Sequence, residues 1–189
     1  MKLDLKYNMI QRFKNFSENI LVIDVESTCL EKVSEIIEIG LSDTKNTFNE
    51  CILIKPVYSK INDFCTKLTS LTTEYIEQNG DDCNLAYNKL NKISLRYTTW
   101  ASYGDYDKEM FEKMSELYNI KINLPVNHIN VRKLFAQKVL KTDNPKQAPK
   151  NPKDALIELG YEFSGFNHRG IDDAKNISYL LNLLNYYTL

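Results

Sequence analysis

The chain has 189 residues, with 24 lysines and arginines, 25 aspartates and glutamates, and a formal net charge of −1. Hydrophobic residues make up 43% of it, enough for the core of one domain, which excludes a disordered protein. The balanced charge excludes a protein that coats duplex DNA by bulk electrostatics, but it allows one that binds a few phosphates locally.

The N-terminal segment lacks the apolar run of a signal peptide, and no apolar run approaches the roughly 20 residues that span a bilayer. The four cysteines form no C-x-x-C pair, which disfavours a structural zinc site and favours reduced thiols. We therefore expect a cytoplasmic protein with no membrane partner.

The first third of the chain is predicted to hold one short helix and three strands. Polar residues between the second and third strands are typical of a hairpin. The helix is predicted at Asn8–Phe16, within an N-terminal extension of residues 1–19, and the strands at Ile20–Ile23, Ile36–Leu41 and Phe48–Lys55. Residues 20–189 are then expected to form a single domain.

The rest of the chain is predicted to be mostly helical, with one strand at Tyr97–Tyr103. The proline- and lysine-rich segment Lys141–Lys153 is interpreted as a solvated loop. The predicted helices are Leu85–Leu95, Asp107–Tyr118, Ile129–Val139, Lys153–Leu159 and Asp172–Tyr187. Strands that begin as a hairpin and then alternate with helices predict an α/β fold with a mixed sheet flanked by helices.

Asp24 and Glu26 follow the first strand, and they share one face of it because strand side chains alternate. Two partly buried carboxylates repel each other and lose hydration, and a divalent cation offsets both costs. The competing interpretation is a solvated strand end, because D-x-E is a common tripeptide.

Two further acidic pairs lie at predicted helix starts. Asp105 and Asp107 follow the strand Tyr97–Tyr103, and a helix-capping role explains one of them but not both. Asp172 and Asp173 begin the last helix, five residues or fewer after His168. A loop histidine is most often an ordinary surface residue, but this one has the spacing to lie beside a metal that the acid holds.

These signals form an ordered pattern of D-x-E at a strand end, an acid before a mid-chain helix, and H-x-x-x-x-D near the C-terminus. The pattern resembles the DEDDh family of 3′-to-5′ exonucleases, whose fold is RNase H-like. The similarity covers about residues 20–184, and four segments within this range resemble its Eri-type branch, which includes the 3′ exonuclease of histone mRNA. They are Ile23–Cys29 (IDVESTC), Glu35–Gly40 (EIIEIG), Asp63–Thr72 (DFCTKLTSLT) and Gly170–Ile177 (GIDDAKNI).

The resemblance implies two divalent metal ions, Mg²⁺ or Mn²⁺, with Asp24 as the bridging ligand and His168 as the general base. The other implied ligands are Glu26, Asp107 and Asp173. Asp107 is preferred because the family's W-D-x-x-x-F spacing matches Asp107–Phe111, and Asp105 is the alternative. Asp173 is preferred by its spacing from His168, which leaves Asp172 as the helix cap.

The implied activity is hydrolysis at a nucleic-acid 3′ end to give nucleoside 5′-monophosphates. Backbone groups near Ser27 and Thr28 are expected to contact the terminal nucleotide. Single-stranded RNA is the favoured substrate, with DNA as the alternative and a non-catalytic nucleic-acid-binding domain as a third interpretation. Ser70 departs from the family's glycine, and Lys141–Lys153 has no clear counterpart.

Overall fold

The computed structural model describes residues 18–28 and 33–187. The predicted helix Asn8–Phe16 lies outside these ranges, as does nearly all of the predicted extension 1–19. In the described ranges, no helix has both the length and the hydrophobicity that a membrane crossing requires.

A five-stranded mixed sheet forms the centre of the domain, with the strand order β3-β2-β1-β4-β5. The first three strands are antiparallel neighbours, whereas β4 runs parallel to β1 and β5 runs parallel to β4. The strands are β1 Leu21–Ser27, β2 Ile36–Asp43, β3 Asn49–Leu53, β4 Thr99–Ser102 and β5 Asn127–Asn130. The predicted hairpin and the predicted mixed sheet are therefore confirmed.

Seven α-helices and one 3₁₀ turn surround the sheet in the described ranges. The helices are α1 Asp63–Thr69, α2 Thr73–Asn79, α3 Cys83–Ser94, α4 Tyr106–Tyr118, α5 Val131–Lys138, α6 Pro152–Glu158 and α7 Gly170–Leu184. The 3₁₀ turn Pro145–Gln147 lies in the segment that the sequence predicts to be a loop. The sequence analysis does not predict α1 or α2, which are each seven residues long.

The predicted helix Ile129–Val139 begins too early. The structure places residues 127–130 in β5, paired with β4, and the helix starts at Val131. The side chain of Asn130 accepts a hydrogen bond from Lys133 N at 2.9 Å, which caps α5 at that point. Because β5 has only four residues and one aliphatic side chain, apolar periodicity does not reveal it.

Apolar side chains of β1 pack on both faces of the sheet. Val22 contacts the cluster that contains α5, α6 and α7, whereas Leu21, Ile23 and Val25 contact the cluster of α3 and α4. Since side chains alternate along a strand, the even-numbered Asp24 and Glu26 point to the α7 side. The acids therefore face the start of α7 at the end of a buried strand.

The start of α7 lies directly against β2, and two glycines make this approach possible. A Cβ atom on Gly40 would lie 1.9 Å from the carbonyl carbon of Gly170. No side chain fits at that distance, so the first turn of α7 is held at the sheet surface. This contact brings Asp173 next to the end of β1.

Candidate active site

Three of the predicted carboxylates meet where β1 ends. Asp24, Glu26 and Asp173 each offer an oxygen that lies within 4.8 Å of those of the other two. Burial, together with nearby negative charges including Asp173, raises the pKa of Glu26 to about 8. Burial and the charges of Asp107 and Asp173 raise the pKa of Asp24 well above its ordinary value. This set has the donor type and the unmet charge that suit a divalent cation.

Asp107 reaches the same place from the first turn of α4. Its Oδ1 accepts a hydrogen bond from Val25 N at 2.9 Å, and the side chain is buried. Burial raises its pKa to about 7, against the opposing effect of this bond and of the Ser102 hydroxyl. Ser102 Oγ itself lies 2.9 Å from His128 Nε2, so the hydroxyl beside Asp107 is also held in place.

One oxygen of Asp173 has no partner. Oδ2 is buried and makes no hydrogen bond to any group in the described ranges, although the backbone N–H groups of His168 and Arg169 donate to the carboxylate. Burial raises the pKa of Asp173 to about 7. A buried acceptor without a partner is costly unless something absent from the chain satisfies it, and a cation fits this place among carboxylates.

The structure separates the two candidates in each acidic pair. Asp107 is buried against β1, whereas Asp105 is exposed at the rim of the cleft, in the N-cap position of α4 but without a capping hydrogen bond. Asp173 faces the cluster, whereas Oδ2 of Asp172 accepts from Phe166 N at 2.9 Å. The prediction that Asp172 caps the last helix is wrong, because α7 already begins at Gly170.

Glu38 takes the capping role at this helix. It is fully buried, and Oε2 accepts from Gly170 N at 3.2 Å and from Arg169 Nε at 3.1 Å. The ion pair with Arg169 and the bond from Gly170 N fix the first turn of α7 against β2, which orients Asp173. The sequence does not reveal this role of Glu38, which stands out there only as part of EIIEIG. A contact between residues 131 positions apart leaves no local signal.

His168 lies on the wall of the same cleft. Its backbone has a φ of 63°, the left-handed conformation that few non-glycine residues adopt. Burial and the charge of Lys153 lower the pKa of His168, so its imidazole is neutral near pH 7. A neutral imidazole beside a carboxylate cluster is able to accept a proton.

The cleft has a volume of about 410 Å³ and contains all five of the predicted catalytic residues, Asp24, Glu26, Asp107, His168 and Asp173. Arg132, Lys150 and Asn167 also line it, and sequence analysis assigns them no function. For Lys150, the only hint in the sequence is that it belongs to the proline- and lysine-rich segment Lys141–Lys153. Nothing near Arg132 in the sequence relates it to this cleft.

Ser27 and Thr28 lie just beyond the cleft lining, which includes β1 only as far as Glu26. Thr28 N donates to Glu35 O at 2.9 Å, and Ser27 O accepts from Cys65 Sγ at 3.1 Å. Both backbone groups thus have partners within the protein. Their contact with a terminal nucleotide stays a prediction.

The chain is similar in sequence to known exonucleases. The family model described as Exonuclease (RNase_T) matches residues 21–181. Human 3′-5′ exoribonuclease 1 is 25% identical over 207 aligned positions, which cover 92% of this chain and 55% of the human protein. The 3′-5′ exonuclease Snipper of Drosophila melanogaster is 27% identical, over 86% of this chain and 67% of the fly protein. The chain thus spans about half the length of the human relative.

The fold is also that of a solved nuclease. The nuclease domain of 3′hExo, a DEDDh family member bound to rAMP, superposes with a TM-score of 0.75 at 23% identity. The match covers 91% of this chain and 94% of that domain. The mixed sheet flanked by helices is therefore the RNase H-like fold of these exonucleases, as the sequence predicts.

Proposed function

The chain belongs to the RNase_T family of exonucleases, and from this premise we propose that it is a metal-dependent 3′-to-5′ exonuclease that prefers RNA. The observation that carries the proposal is the cluster of Asp24, Glu26 and Asp173, with one buried oxygen of Asp173 unpartnered. A purely structural role does not account for three acids with raised pKa values beside an open cleft. A cation site does.

Divalent cations held by these carboxylates would stabilise the charge that develops on the attacking and leaving oxygens of an in-line displacement at phosphorus. Members of this family use divalent metals, and we propose two ions, Mg²⁺ or Mn²⁺. Asp24 would contact both ions, and Glu26, Asp107 and Asp173 would complete the protein ligands. The bond from phosphorus to the 3′ oxygen breaks, which releases a nucleoside 5′-monophosphate and leaves a new 3′ hydroxyl.

His168 would take the proton of the attacking water. Its lowered pKa keeps the imidazole neutral near pH 7, which is the form that a base requires. The hydrogen bonds from the backbone of His168 and Arg169 to Asp173 keep this loop next to the ligand set. General-base help of this kind is typically worth about 10²–10⁴ in rate.

RNA is favoured because the human relative carries the name of an exoribonuclease and the similar solved domain was bound to rAMP. DNA is the second candidate, because these motifs do not distinguish RNA from DNA and the fly relative is named only as an exonuclease. Competition between matched RNA and DNA oligonucleotides would show which of the two the protein prefers.

Prediction for the proposed function: Asp24→Asn and His168→Ala abolish metal-dependent removal of 3′ nucleotides from a 5′-labelled single-stranded RNA. Asp24→Asn removes a carboxylate charge from the set that would hold the ions, and His168→Ala removes the group that would accept the proton. The measurement is product analysis with Mg²⁺, with Mn²⁺ and with chelator, on matched RNA and DNA oligonucleotides. Nucleoside 5′-monophosphates should appear from the 3′ end.

Asp105→Asn is the matched control, because Asp105 lies at the same cleft but outside the carboxylate cluster. It should keep activity within about threefold. Full activity of either Asp24→Asn or His168→Ala would contradict the assignment. Internal cleavage without release of mononucleotides would contradict the exonuclease polarity, and faster digestion of the DNA would make DNA the preferred substrate.

A further inference from the structure

The segment between α5 and α6 is fixed at one wall of the cleft. Tyr103 OH donates to Pro149 O at 2.8 Å, and Arg132 Nη2 donates to Ala148 O at 3.1 Å. On the other side of Lys150, Asn151 caps α6 by accepting from Asp154 N at 2.8 Å. The backbone of Lys150 is therefore anchored on both sides, although its side chain is exposed.

Two cations line the same cleft as the carboxylate cluster. Arg132 and Lys150 both line the cleft, and neither forms an ion pair with any acid in the part of the chain that the structure describes. The Nε of Arg132 is buried and has no hydrogen-bond partner among the residues that the structure describes. A buried guanidinium donor without an acceptor is costly, and an anionic oxygen in the cleft would satisfy it.

The charges along a nucleic-acid chain indicate which anionic group of the substrate would pair with Arg132 and Lys150. The scissile phosphate is already assigned to the carboxylates and the cations they hold, whereas a polynucleotide carries a further phosphate at every nucleotide. Guanidinium and ammonium groups are the usual protein partners of such phosphates. Because they contact the backbone and not the bases, they bind all sequences alike.

We propose that Arg132 and Lys150 form a second phosphate subsite, which binds the phosphate next to the scissile one on its 5′ side. This inference rests on the proposed function and adds a reason for activity on chains and not only on single nucleotide esters. It also gives the segment Lys141–Lys153 a role, because that segment delivers Lys150 to the cleft.

The test compares two substrates that differ in this phosphate. A single-stranded RNA oligonucleotide has it, and a nucleoside 5′-(4-nitrophenyl phosphate) has only the phosphate that is cleaved. Lys150→Ala and Arg132→Gln should each lower kcat/KM on the oligonucleotide about tenfold, since each removes a charge-assisted contact. On the nitrophenyl ester, both should stay within about twofold of the unmodified protein.

Lys146→Ala is the matched control, because Lys146 is an exposed lysine of the same segment that does not line the cleft. It should leave both substrates unaffected. Arg132→Gln keeps an N–H donor for Ala148 O, and a thermal melt of each variant identifies any loss of folding. An equal loss of kcat/KM on both substrates would overturn the subsite, because the cations would then act on the scissile phosphate.

A binding measurement separates this inference from the proposed function. The logarithm of the oligonucleotide binding constant falls with the logarithm of salt concentration, by roughly 0.7 for each phosphate contact on a single strand. Lys150→Ala should reduce this slope by about 0.7, whereas Lys146→Ala should not. An unchanged slope for Lys150→Ala overturns the subsite even if the protein hydrolyses RNA. Failure of the unmodified protein to hydrolyse either substrate contradicts the exonuclease alone.

Discussion

Asp107 is held by groups on two different strands of the sheet, of which Val25 N donates a hydrogen bond and the Ser102 hydroxyl lies nearby while it donates to Gly104 O at 2.8 Å. Val25 N on β1 and the Ser102 hydroxyl at the end of β4 both favour its charged form. The Ser102 hydroxyl is itself fully buried and lies 2.9 Å from His128 Nε2, and the His128 ring stacks against Trp100 at 4.2 Å between centroids. A chain of contacts thus orients a carboxylate that has little room to move.

Prediction at the residue scale: Ser102→Ala raises the metal concentration needed for half-maximal activity about tenfold, because contacts behind a metal ligand typically change affinity by 10–100-fold. The measurement is a Mn²⁺ titration of nuclease activity. Ser94→Ala is the matched control, since it removes another buried serine hydroxyl, which has no hydrogen-bond partner and lies on α3. A shift of equal size in both variants would contradict the orienting role of Ser102.

Among single residues, the sequence predicts those that stand at a recognisable spacing, such as Asp24 with Glu26 and His168 with Asp173. It does not reveal Glu38 or Arg132, because their roles depend on contacts with segments far away in the chain. The choice of Asp107 over Asp105 followed from spacing, and burial against Val25 now supplies a physical reason for it.

At the scale of elements, the short helices and the polar strand are what the sequence fails to reveal. α1 and α2 have seven residues each, and β5 contains a single aliphatic side chain, so none shows a full apolar period. Their capping residues are the only local signals: Asn62 and Thr72 accept hydrogen bonds from Cys65 N and Tyr75 N. Long periodic segments such as α4 and α7 are predicted well for the same physical reason.

Prediction at the element scale: Ser70→Gly stabilises the domain. Ser70 ends α1 with a φ of 63°, a left-handed conformation that costs an L-residue about 1 kcal/mol relative to glycine. The expected gain in the free energy of unfolding is therefore about 0.5–1 kcal/mol, measured by urea denaturation. The backbone at Ser70 thus has the left-handed conformation that glycine favours, although serine stands here in place of the family's glycine.

Lys67→Gly in the same helix is the control, because Lys67 is exposed and lies in the regular part of α1. There a glycine should lower the free energy of unfolding by about 1 kcal/mol. Equal destabilisation by both substitutions would show that the backbone at Ser70 is not strained.

At the scale of the whole molecule, the cleft gathers four carboxylates from three elements that are far apart in sequence. The order of the strands and the close contact of Gly40 with Gly170 bring them together, and neither is readable from local pattern. Without cations, these acids oppose folding near neutral pH, because burial raises their pKa values.

Prediction at this scale: the melting temperature of the metal-free protein falls as pH rises from 6.5 to 8. The unfolded chain has already lost these protons near pH 4, whereas Asp107 and Asp173 hold theirs to about pH 7 and Glu26 to about pH 8. The folded state therefore binds more protons in this window, and stability declines with pH. Both histidines have pKa values below their ordinary value of 6.5, so their contribution to stability rises with pH, which opposes the decline near pH 6.5 and fades toward the upper end of the window.

Saturating Mn²⁺ should raise the melting temperature, more at pH 8 than at pH 6.5, because the ion binds the deprotonated carboxylates of the folded state. Differential scanning calorimetry with Mn²⁺ or with EDTA measures both effects. Asp173→Asn is the informative variant, since it should flatten the pH dependence and weaken the response to Mn²⁺. A metal-free melting temperature that rises across this pH range would contradict the assignment of the raised pKa values.

Three hydrogen bonds between side chains of α7 and the backbone of the preceding loop join the loop of His168 to this helix. Asn176 Nδ2 donates to Ser164 O at 2.7 Å, its Oδ1 accepts from Ser164 N at 3.0 Å, and Phe166 N donates to Asp172. In terms of local unfolding, we expect the loop and the first turns of the helix to open as one cooperative unit. A fluctuation large enough to release His168 would therefore also disturb Asp173, so the proposed proton acceptor and the proposed metal ligand would be gained and lost in a single step.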